Sequence, residues 1–357
     1  MLELRNDTAL AAGLYPGWDR GRRHQLTLVF KAAWRFRVDG TLVPVQPAPP
    51  VVEADAHHGA AHETSLSAAD ETVPFKQGSE VYLYGTAHPA SPGAVLAEVA
   101  MEIDFPSGER FRKALYVFGP RQWRRGALGW RIEAKGPLEP TPLRYEYAFG
   151  GRIPGRPGQE FGPNPVGLGY NPSEWRLASR ELPRIEWPRR LVARPGHKPP
   201  PAGFGPLPRF WQPRADEAGE AAADPEARGG CPWGEAAEPT LHHAAPPDQR
   251  FGVPFGGGET LRLAGFACGR GPVRPVTITL PRLAPGVTIL AGGAGSGPVP
   301  VVDTLVIDTD AMELHLVGRA GIPWRRRDPR RGWVILEDAE SGGARDAGSQ
   351  TPAGGPG

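Results

Sequence analysis

Three histidines lie close together near the start of the chain, in the stretch HHGAAHE at 57–63. Imidazole is a general base and a frequent metal ligand near neutral pH. His58 and His62 have the i, i+4 spacing that places two ligands on one face of a helix, with Glu63 beside them. The flanking residues lack the apolar periodicity of a helix, and the HExxH pattern is absent. We therefore expect solvated loop histidines, with metal binding as the alternative.

The most unusual stretch is 145–170, YEYAFGGRIPGRPGQEFGPNPVGLGY, which places glycines and prolines between aromatic residues. Glycine-rich loops can cradle phosphate groups, but neither GxxxxGK[ST] nor GxGxxG occurs in this segment. Pro163 and Pro165 also lack the backbone amide that such a cradle donates. The GxSxG elbow of serine hydrolases is absent from the chain. We predict that the protein is not an enzyme and needs no cofactor or metal.

Basic residues are numerous but balanced by acidic ones, 41 Lys+Arg against 39 Asp+Glu, so the net charge is only +2. One strip, between Trp324 and Trp333, could bind RNA by stacking and phosphate contacts. Because the whole chain is nearly neutral, we expect a solvated or partner-facing edge instead, with no nucleic-acid partner. The basic residues of this strip are Arg319, Arg325, Arg326, Arg327, Arg330 and Arg331.

Arginine greatly outnumbers lysine in this chain. The sequence has only five lysines, and the other 36 basic residues are arginines. A biased genome composition is the simplest cause, although arginine also makes better planar contacts at interfaces. The lysines are Lys31, Lys76, Lys113, Lys135 and Lys198.

The sequence predicts a cytoplasmic protein with no membrane partner. The first residues lack the basic start and apolar run of a signal peptide, and no apolar run of about 18 residues occurs. Cys231 and Cys268 cannot form a disulfide framework and are not in CxxC spacing. With 48 Gly, 43 Pro and 39% apolar residues, the composition favours a packed core of short strands and many turns.

Alternating apolar residues predict strands in both halves of the chain. Residues 24–45 read as a hairpin with its turn at Asp39-Gly40, and residues 94–119 read as a second hairpin with its turn at Pro106-Ser107-Gly108. The stretch 130–149 adds two more strands, and further strand patterns follow from residue 259 to residue 324. Because no helical pattern separates the strands, we expect a mainly antiparallel β-sandwich or barrel.

Four regions follow from these patterns: an N-terminal β part at 1–149, an irregular Gly/Pro-rich middle region at 150–255, a C-terminal β part at 256–338 and a disordered tail at 339–357. A loop region of about 100 residues is improbable unless it packs on the sheets or on a partner. We expect its aromatic residues to anchor it: Phe149, Phe161, Tyr170, Trp175, Trp187, Phe204, Phe210 and Trp211.

Eight stretches, taken in order, resemble a bacterial family of unknown function that is encoded in type VI secretion gene clusters. They cover roughly residues 1–325: VFKAAWRF, DETVPFKQGSEVYLYGTAHP, LYVFGPRQW, LRYEYAFGG, NPVGLGY, PAGFGPLPRFWQPR, AAPPDQ and DTLVIDTDAMELHLVGRA. Each stretch is weak alone, and the ordered set is specific.

The resemblance implies a non-catalytic adaptor or chaperone. Such a protein binds an effector toxin, or its PAAR-like tip protein, and helps to load it onto the secreted spike protein. Two alternatives remain. One is a hydrolase, metal-dependent or not, that uses the middle-region histidines. The other is a structural module secreted together with the spike.

The aromatic residues and turn formers around 145–170 predict a shaped surface. Tyr145 and Phe149 would anchor one end in the core, the Asn164-Pro165 turn would fix the middle, and Tyr170 would anchor the far end. We expect Arg121 and Arg144 to brace this loop, with Glu146 or Glu186 as the carboxylate partner. The full predicted set is Arg121, Trp123, Arg144, Tyr145, Phe149, Asn164, Tyr170 and Trp211.

Overall fold

The computed structural model describes residues 2–153, 155–156, 158–171, 181–219, 231–234, 236–266, 273–291, 294–324 and 331–338. Within these ranges α1 spans Arg214–Ala218, and two 3-10 helices span Tyr145–Tyr147 and Pro247–Gln249. The strands, in chain order, are β1 Leu2–Asn6, β2 Ala11–Trp18, β3 His24–Phe36, β4 Leu42–Pro44, β5 Ala56–His57, β6 Leu66–Ala68, β7 Ser79–Tyr84, β8 Thr86–Ala87, β9 Leu96–Asp104, β10 Arg110–Phe118, β11 Arg121–Gly126, β12 Gly129–Ala134, β13 Thr141–Pro142, β14 Phe149–Gly150, β15 Leu168–Gly169, β16 Ile185–Glu186, β17 Arg250–Phe251, β18 Thr260–Ala264, β19 Val276–Thr279, β20 Gly286–Leu290, β21 Ala294–Ser296, β22 Val301–Asp308, β23 Glu313–Pro323 and β24 Gly332–Glu337.

The fold is mainly β, and its two largest sheets share one hydrophobic core. The seven-stranded sheet has the order β17-β7-β22-β23-β3-β2, with β4 paired to β3. The five-stranded sheet has the order β16-β10-β9-β18-β19. A four-stranded sheet, β1-β24-β20-β21, contributes Leu2, Val334 and Leu336 to the same core. The predicted β-sandwich is confirmed, and in the described ranges these sheets do not close into a barrel.

Both predicted hairpins are present because their signals are local. Strand β3 pairs with β4 in register Phe36 to Leu42, and the amide of Gly40 donates to Arg37 O at 2.9 Å. Strand β9 pairs with β10 along its whole length, and the amide of Gly108 donates to Phe105 O at 2.9 Å. In each case a turn-forming glycine follows one apolar strand and precedes its neighbour.

Three strand pairs are parallel in this mainly antiparallel fold. They are β1 with β24, β7 with β22, and β14 with β15. Parallel neighbours need a long crossover connection rather than a tight turn. More than two hundred residues separate β7 from β22, so the middle of the chain provides that connection.

Strand β3 is buried on both faces, so its polar side chains need hydrogen-bond or ion-pair partners inside the protein. Leu26, Leu28 and Phe30 face the shared core. On the alternate positions Thr27, Val29 and Lys31 are also buried. A strand with two covered faces reads as a continuous buried run, and any polar side chain on it needs an internal partner.

The described part of the middle region contains only short elements, and its aromatic side chains differ in burial. Phe204 and Trp211 are fully buried, while Phe161, Tyr170 and Trp187 pack on the cores at partial exposure. Phe210 remains about half exposed.

Some expectations need correction or fall outside the described residues. Residues 145–147 were expected to begin a strand, but they form a 3-10 helix because Ala148 N bonds back to Tyr145 O at 3.1 Å. Residues 121–126, which lie between the predicted strand stretches, form β11 and pair with β12 in a further hairpin. Trp175, Cys268, Arg325–Arg327, Arg330 and the tail 339–357 lie outside the described ranges.

The helical segments among the described residues are far too short to cross a membrane.

Candidate functional site

The loop from Ala148 to Tyr170 is locked in one conformation by close backbone contacts. Gly151 has a φ of 112°, which side-chain-bearing residues rarely adopt, and its amide bonds to Asn164 O at 2.8 Å. At Gly167 a Cβ atom would lie 2.5 Å from Ala148 O, so only glycine fits there. We call residues 148–170 the locked loop.

Asn164 is the internal clamp of the locked loop. It is fully buried, and its Nδ2 donates to Tyr145 O at 2.8 Å and to Phe149 O at 3.1 Å. The two carbonyls belong to the entry of the loop, while Asn164 lies beyond its tip. One side chain thus ties both limbs together, which matches the predicted placement of a turn at Asn164-Pro165.

The ends of the locked loop sit in a small aromatic cluster. Trp123 and Phe149 are buried in it together with Leu182 and Val192. Phe161 bridges the limbs, since its ring centroid lies 5.2 Å from that of Phe149 and 5.5 Å from that of Tyr170. Strand β11 supplies Trp123, so this hairpin and the locked loop share one packing unit.

Tyr145 and Trp211 belong instead to the main core. Both are buried, and their rings meet edge to face at 5.7 Å. The Tyr145 hydroxyl donates to Gly205 O at 3.2 Å, which satisfies its polar end. Asn164, which binds the Tyr145 carbonyl, connects this core to the aromatic cluster.

Arg121 braces the region through Glu186, one of the two predicted carboxylates. Its Nη2 donates to Glu186 Oε1 and to Pro183 O, the latter at 2.7 Å. Glu186 Oε2 accepts the amide of Val192 at 2.7 Å. Burial raises the pKa of Glu186 and lowers the pKa of Arg121, against the opposing effect of their pairing. The pair therefore connects β11 to the 181–192 segment in a desolvated setting.

Arg144 does not take part in this brace. Its side chain is exposed and makes no hydrogen bond or ion pair with another described residue. Glu146, the other predicted partner, accepts Ser65 N at 2.9 Å and Ser65 Oγ at 2.7 Å. The expectation that both arginines brace the loop holds in the structure only for Arg121, because Glu146 is already occupied.

Arg144 lines a cavity of about 590 Å³, which we call the Arg144 cavity. His58, Tyr84 and His315 also line it, and the buried hydroxyl of Tyr84 has no hydrogen-bond partner among the described residues. Burial lowers the pKa of His58, and the positive charge of Arg144 lowers it further. Burial also raises the pKa of Tyr84.

The three histidines of the 57–63 stretch are not brought to one site. His58 lines the Arg144 cavity, whereas His57 and His62 both pack on Phe210, at ring distances of 6.1 and 5.4 Å. Strands β5 and β6, not a helix, flank the stretch. Among the residues placed by the structure, no group of three His, Cys, Asp or Glu side chains is close enough to hold a metal ion.

A second depression runs across Trp187, and we call it the Trp187 groove. It consists of two cavities, of about 460 and 600 Å³, that share Trp187, Arg190, Pro200, Pro247 and Asp248. Tyr145 and Phe161 line its first half, which places it directly against the locked loop. Arg189 lines its second half.

Sequence reasoning missed a row of charges buried under the outer face of the seven-stranded sheet. Lys31 Nζ contacts Glu71 Oε1 at 2.8 Å. The carbonyl of Glu71 accepts Arg319 Nη2 at 3.2 Å, and Arg319 Nη1 donates to Asp303 Oδ2 at 2.7 Å. All four residues are nearly inaccessible to solvent.

The row continues through the hydroxyl of Thr304 to a second group of buried polar residues, Lys76, Glu80 and His243. Thr304 Oγ1 donates to Asp303 Oδ1 at 2.9 Å and accepts Lys76 Nζ at 2.7 Å. Lys76 pairs with Glu80, whose other oxygen lies 3.2 Å from His243 Nδ1. We call the row from Lys31 to His243 the buried charge chain. The one sequence signal for it is lysine itself, because Lys31, Lys76 and Lys113 are buried in a chain that otherwise uses arginine.

A family model described as "Uncharacterized protein conserved in bacteria (DUF2169)" matches residues 20–319. No curated protein and no solved structure matches the chain. The matched range includes the locked loop, the aromatic cluster, the Trp187 groove and the whole buried charge chain.

Proposed function

The chain belongs to this uncharacterized bacterial family, and on that premise we propose that it is a non-catalytic adaptor of a type VI secretion system. In this role it binds an effector toxin, or the PAAR-like tip attached to it, and helps to load that cargo onto the spike. The ordered resemblance of the eight sequence stretches to such adaptors supports the assignment.

The observation that carries the proposal is the locked loop. Asn164, Gly151 and Gly167 hold its two limbs at fixed positions, and the aromatic cluster anchors both ends. A surface that is already ordered loses little conformational entropy when a partner docks. Rigid, irregular surface is what an adaptor needs to recognise one cargo.

Co-purification from the native cell tests this function. The protein is tagged in its own genome, and its partners are identified under conditions that express the secretion system. The expected result is an effector encoded close to the gene, together with a spike protein. Recovery of the chain without an effector, when the effector is present in the same lysate, would refute the proposal.

The same tagged strain distinguishes the adaptor from the alternative of a structural module that is secreted with the spike. An adaptor that stays behind is found in the cell fraction, whereas a module that travels with the spike appears beside the toxin in the secreted fraction. Quantitative blotting of both fractions decides between them.

A hydrolase is the second candidate, favoured by the Arg144 cavity alone. His58 lines this cavity with Glu71 and Asp308. Glu71, however, is already engaged by Lys31 and by the amide of Val52. Elemental analysis that finds stoichiometric zinc, together with loss of that zinc in His58→Ala, would favour a metal-dependent hydrolase over the adaptor.

A further inference from the structure

We propose that the Trp187 groove is the cargo-docking surface and that it binds an extended, acidic, proline-containing segment of the partner. This inference rests on the proposed adaptor function and adds the surface and the chemistry of the segment recognised. Four features of the groove carry it: its converging segments, its fixed tryptophan, its proline-lined walls and two exposed arginines that form no ion pair with another described residue.

Five separate parts of the chain converge on the groove. Its walls contain Pro163, Pro188, Pro200, Pro213 and Pro247, each from a different segment. Packing so many remote prolines around one depression fixes its shape, because each ring restricts its own backbone. The groove is therefore a preformed feature of the fold.

Trp187 forms the floor and is held from two sides. Its Nε1 donates to Pro201 O at 3.1 Å, and Lys113 Nζ lies 4.8 Å from its ring centroid. Lys113 is itself fixed by Asp248 at 2.9 Å and by Gln249 at 2.6 Å. The ring thus cannot swing away, and it presents a flat apolar surface at partial exposure.

The chemistry of the walls selects the conformation of the ligand. The wall prolines have no N–H group, and the indole N–H of Trp187 already donates to Pro201 O, so neither offers a hydrogen-bond donor to a ligand. A docked β-strand would lose hydrogen bonds to water without replacing them. A polyproline II segment needs no such bonds, and aromatic grooves recognise it by packing against its proline rings.

The charged side chains of the groove determine which residues the bound segment carries. Arg189 and Arg190 are exposed, line the groove and form no ion pair with another described residue. The acidic residue of the groove, Asp248, is neutralised by Lys113. Two free guanidinium groups beside an apolar floor are complementary to a segment that carries carboxylates between its prolines.

Fluorescence anisotropy of a labelled peptide, Glu-Pro-Glu-Pro-Asp-Pro with blocked ends, tests the groove on the full chain. We expect saturable binding that weakens as NaCl is raised and that weakens further in a peptide with alanine in place of each proline. The double variant Arg189→Glu/Arg190→Glu should raise Kd at least about tenfold, or about 1.4 kcal/mol.

The matched control, Arg125→Glu/Arg131→Glu, reverses two other exposed arginines on the β11–β12 hairpin that form no ion pair with another described residue. It has the same net charge as the groove variant, so it should bind the peptide like wild type. An equal loss of binding in both variants would reduce the effect to general electrostatics and overturn the proposal. Absence of binding to wild type would overturn it as well.

Other occupants give distinct results. A peptide of residues 339–357 that displaces the acidic peptide and binds more tightly would assign the groove to the chain's own tail. A dimer that dissociates in the groove variant would assign it to a second copy. Either result would overturn the proposal.

The groove inference and the adaptor function fail separately. If the effector co-purifies with wild type and equally well with Arg189→Glu/Arg190→Glu, the function stands and the groove assignment is wrong. If no effector co-purifies although the peptide binds, the groove is a binding site and the adaptor function is wrong.

Discussion

The buried side-chain amide of Asn164 joins the two limbs of the locked loop, whose paired strands β14 and β15 are only two residues long each. Replacing Asn164 by alanine leaves the carbonyls of Tyr145 and Phe149 buried without these donors. Each such loss costs about 1–3 kcal/mol. We expect Asn164→Ala to lower the free energy of unfolding by about 2–4 kcal/mol, measured by urea denaturation. The control Gln159→Ala removes an exposed amide of the same loop that has no side-chain hydrogen bond among the described residues, and it should change the free energy of unfolding by less than about 0.5 kcal/mol. Equal stability of the two variants would contradict the clamp.

Trp123 makes a second prediction at the same scale. It is buried against Phe149 and Leu182, so Trp123→Ala should cost about 3–5 kcal/mol through lost packing and a cavity. Trp333 is 45% exposed, and Trp333→Ala is the matched control with a much smaller expected cost. Thermal unfolding of both variants gives the comparison. If the two melt at similar temperatures, the aromatic cluster does not stabilise the fold as proposed.

His242 should make the stability depend on pH. Burial lowers its pKa from 6.5 to about 3, and the nearby cations Arg209, Arg319 and Lys76 act in the same direction. The unfolded chain therefore binds the proton more readily, so stability is complete above about pH 6.5 and falls as the pH drops toward about 3. The limiting slope is about 1.4 kcal/mol per pH unit.

The variant His242→Phe removes this titration and keeps an aromatic ring between Phe75 and Trp233. The difference in free energy of unfolding between wild type and variant should shrink or reverse as the pH falls from 7 to 4. Parallel pH profiles for the two proteins would show that His242 does not titrate in this window.

The sequence could not show which of the two arginines, Arg121 or Arg144, forms an ion pair. Arg121 and Arg144 both adjoin aromatic residues, and both were predicted to brace the loop. Only Arg121 meets a free carboxylate, and that partner, Glu186, lies 65 residues away. Proximity of this kind depends on the folded chain, so local sequence cannot separate the two arginines.

At the scale of elements, the pair Arg121–Glu186 joins strand β11 to the 181–192 segment. Removing one partner of a buried ion pair leaves an uncompensated charge and costs about 3–5 kcal/mol. We expect Arg121→Ala to lower the melting temperature clearly and to reduce effector co-purification. Arg144→Ala, at an exposed position without a partner, should melt like wild type. If Arg121→Ala also melts like wild type and still carries the effector, the brace is wrong.

Strand pairs joined by a short turn could be predicted from the sequence. Strand pairs whose members lie far apart in the sequence could not. The β3–β4 and β9–β10 hairpins follow from alternation and a turn-forming glycine. The parallel pairing of β7 with β22 has no local signal, because the connection between them spans the middle of the chain. Aromatic residues favour strands, so the sequence predicts a strand at 145–147, yet the amides of Tyr147 and Ala148 bond back to Arg144 O and Tyr145 O and make it a 3-10 helix.

At the scale of the whole molecule, the buried charge chain ties the covering segments to the sheet. Lys76 binds both Glu80 and Thr304, so Lys76→Met should cost about 3–5 kcal/mol by leaving the Glu80 charge unpaired. The control Lys135→Met changes an exposed lysine and should cost less than about 0.5 kcal/mol. Chemical denaturation of both variants measures the difference, and a stable Lys76→Met would show that the row contributes little.

Composition and the alternation of apolar and polar residues predicted the class of fold, but they did not predict the buried charge chain. Alternation in β3 marks Leu28 and Phe30 as core but treats Lys31 as a solvent-facing residue. Lys31 is buried because residues 49–76 cover that face, which no pattern within β3 can reveal. Genome composition explains the surplus of arginine over lysine, but it does not indicate that Lys31, Lys76 and Lys113 are buried.

The pairing of the two chain ends has a consequence for synthesis on the ribosome. Strand β3 completes its sheet only when β23 arrives, and β1 pairs only with β24. At roughly 5–20 residues per second, the first strands wait on the order of tens of seconds for their neighbours. During that interval the edge of β3 that later pairs with β23 is open, and other nascent chains can join it. The emerging chain is therefore most exposed to aggregation before β23 has been synthesised.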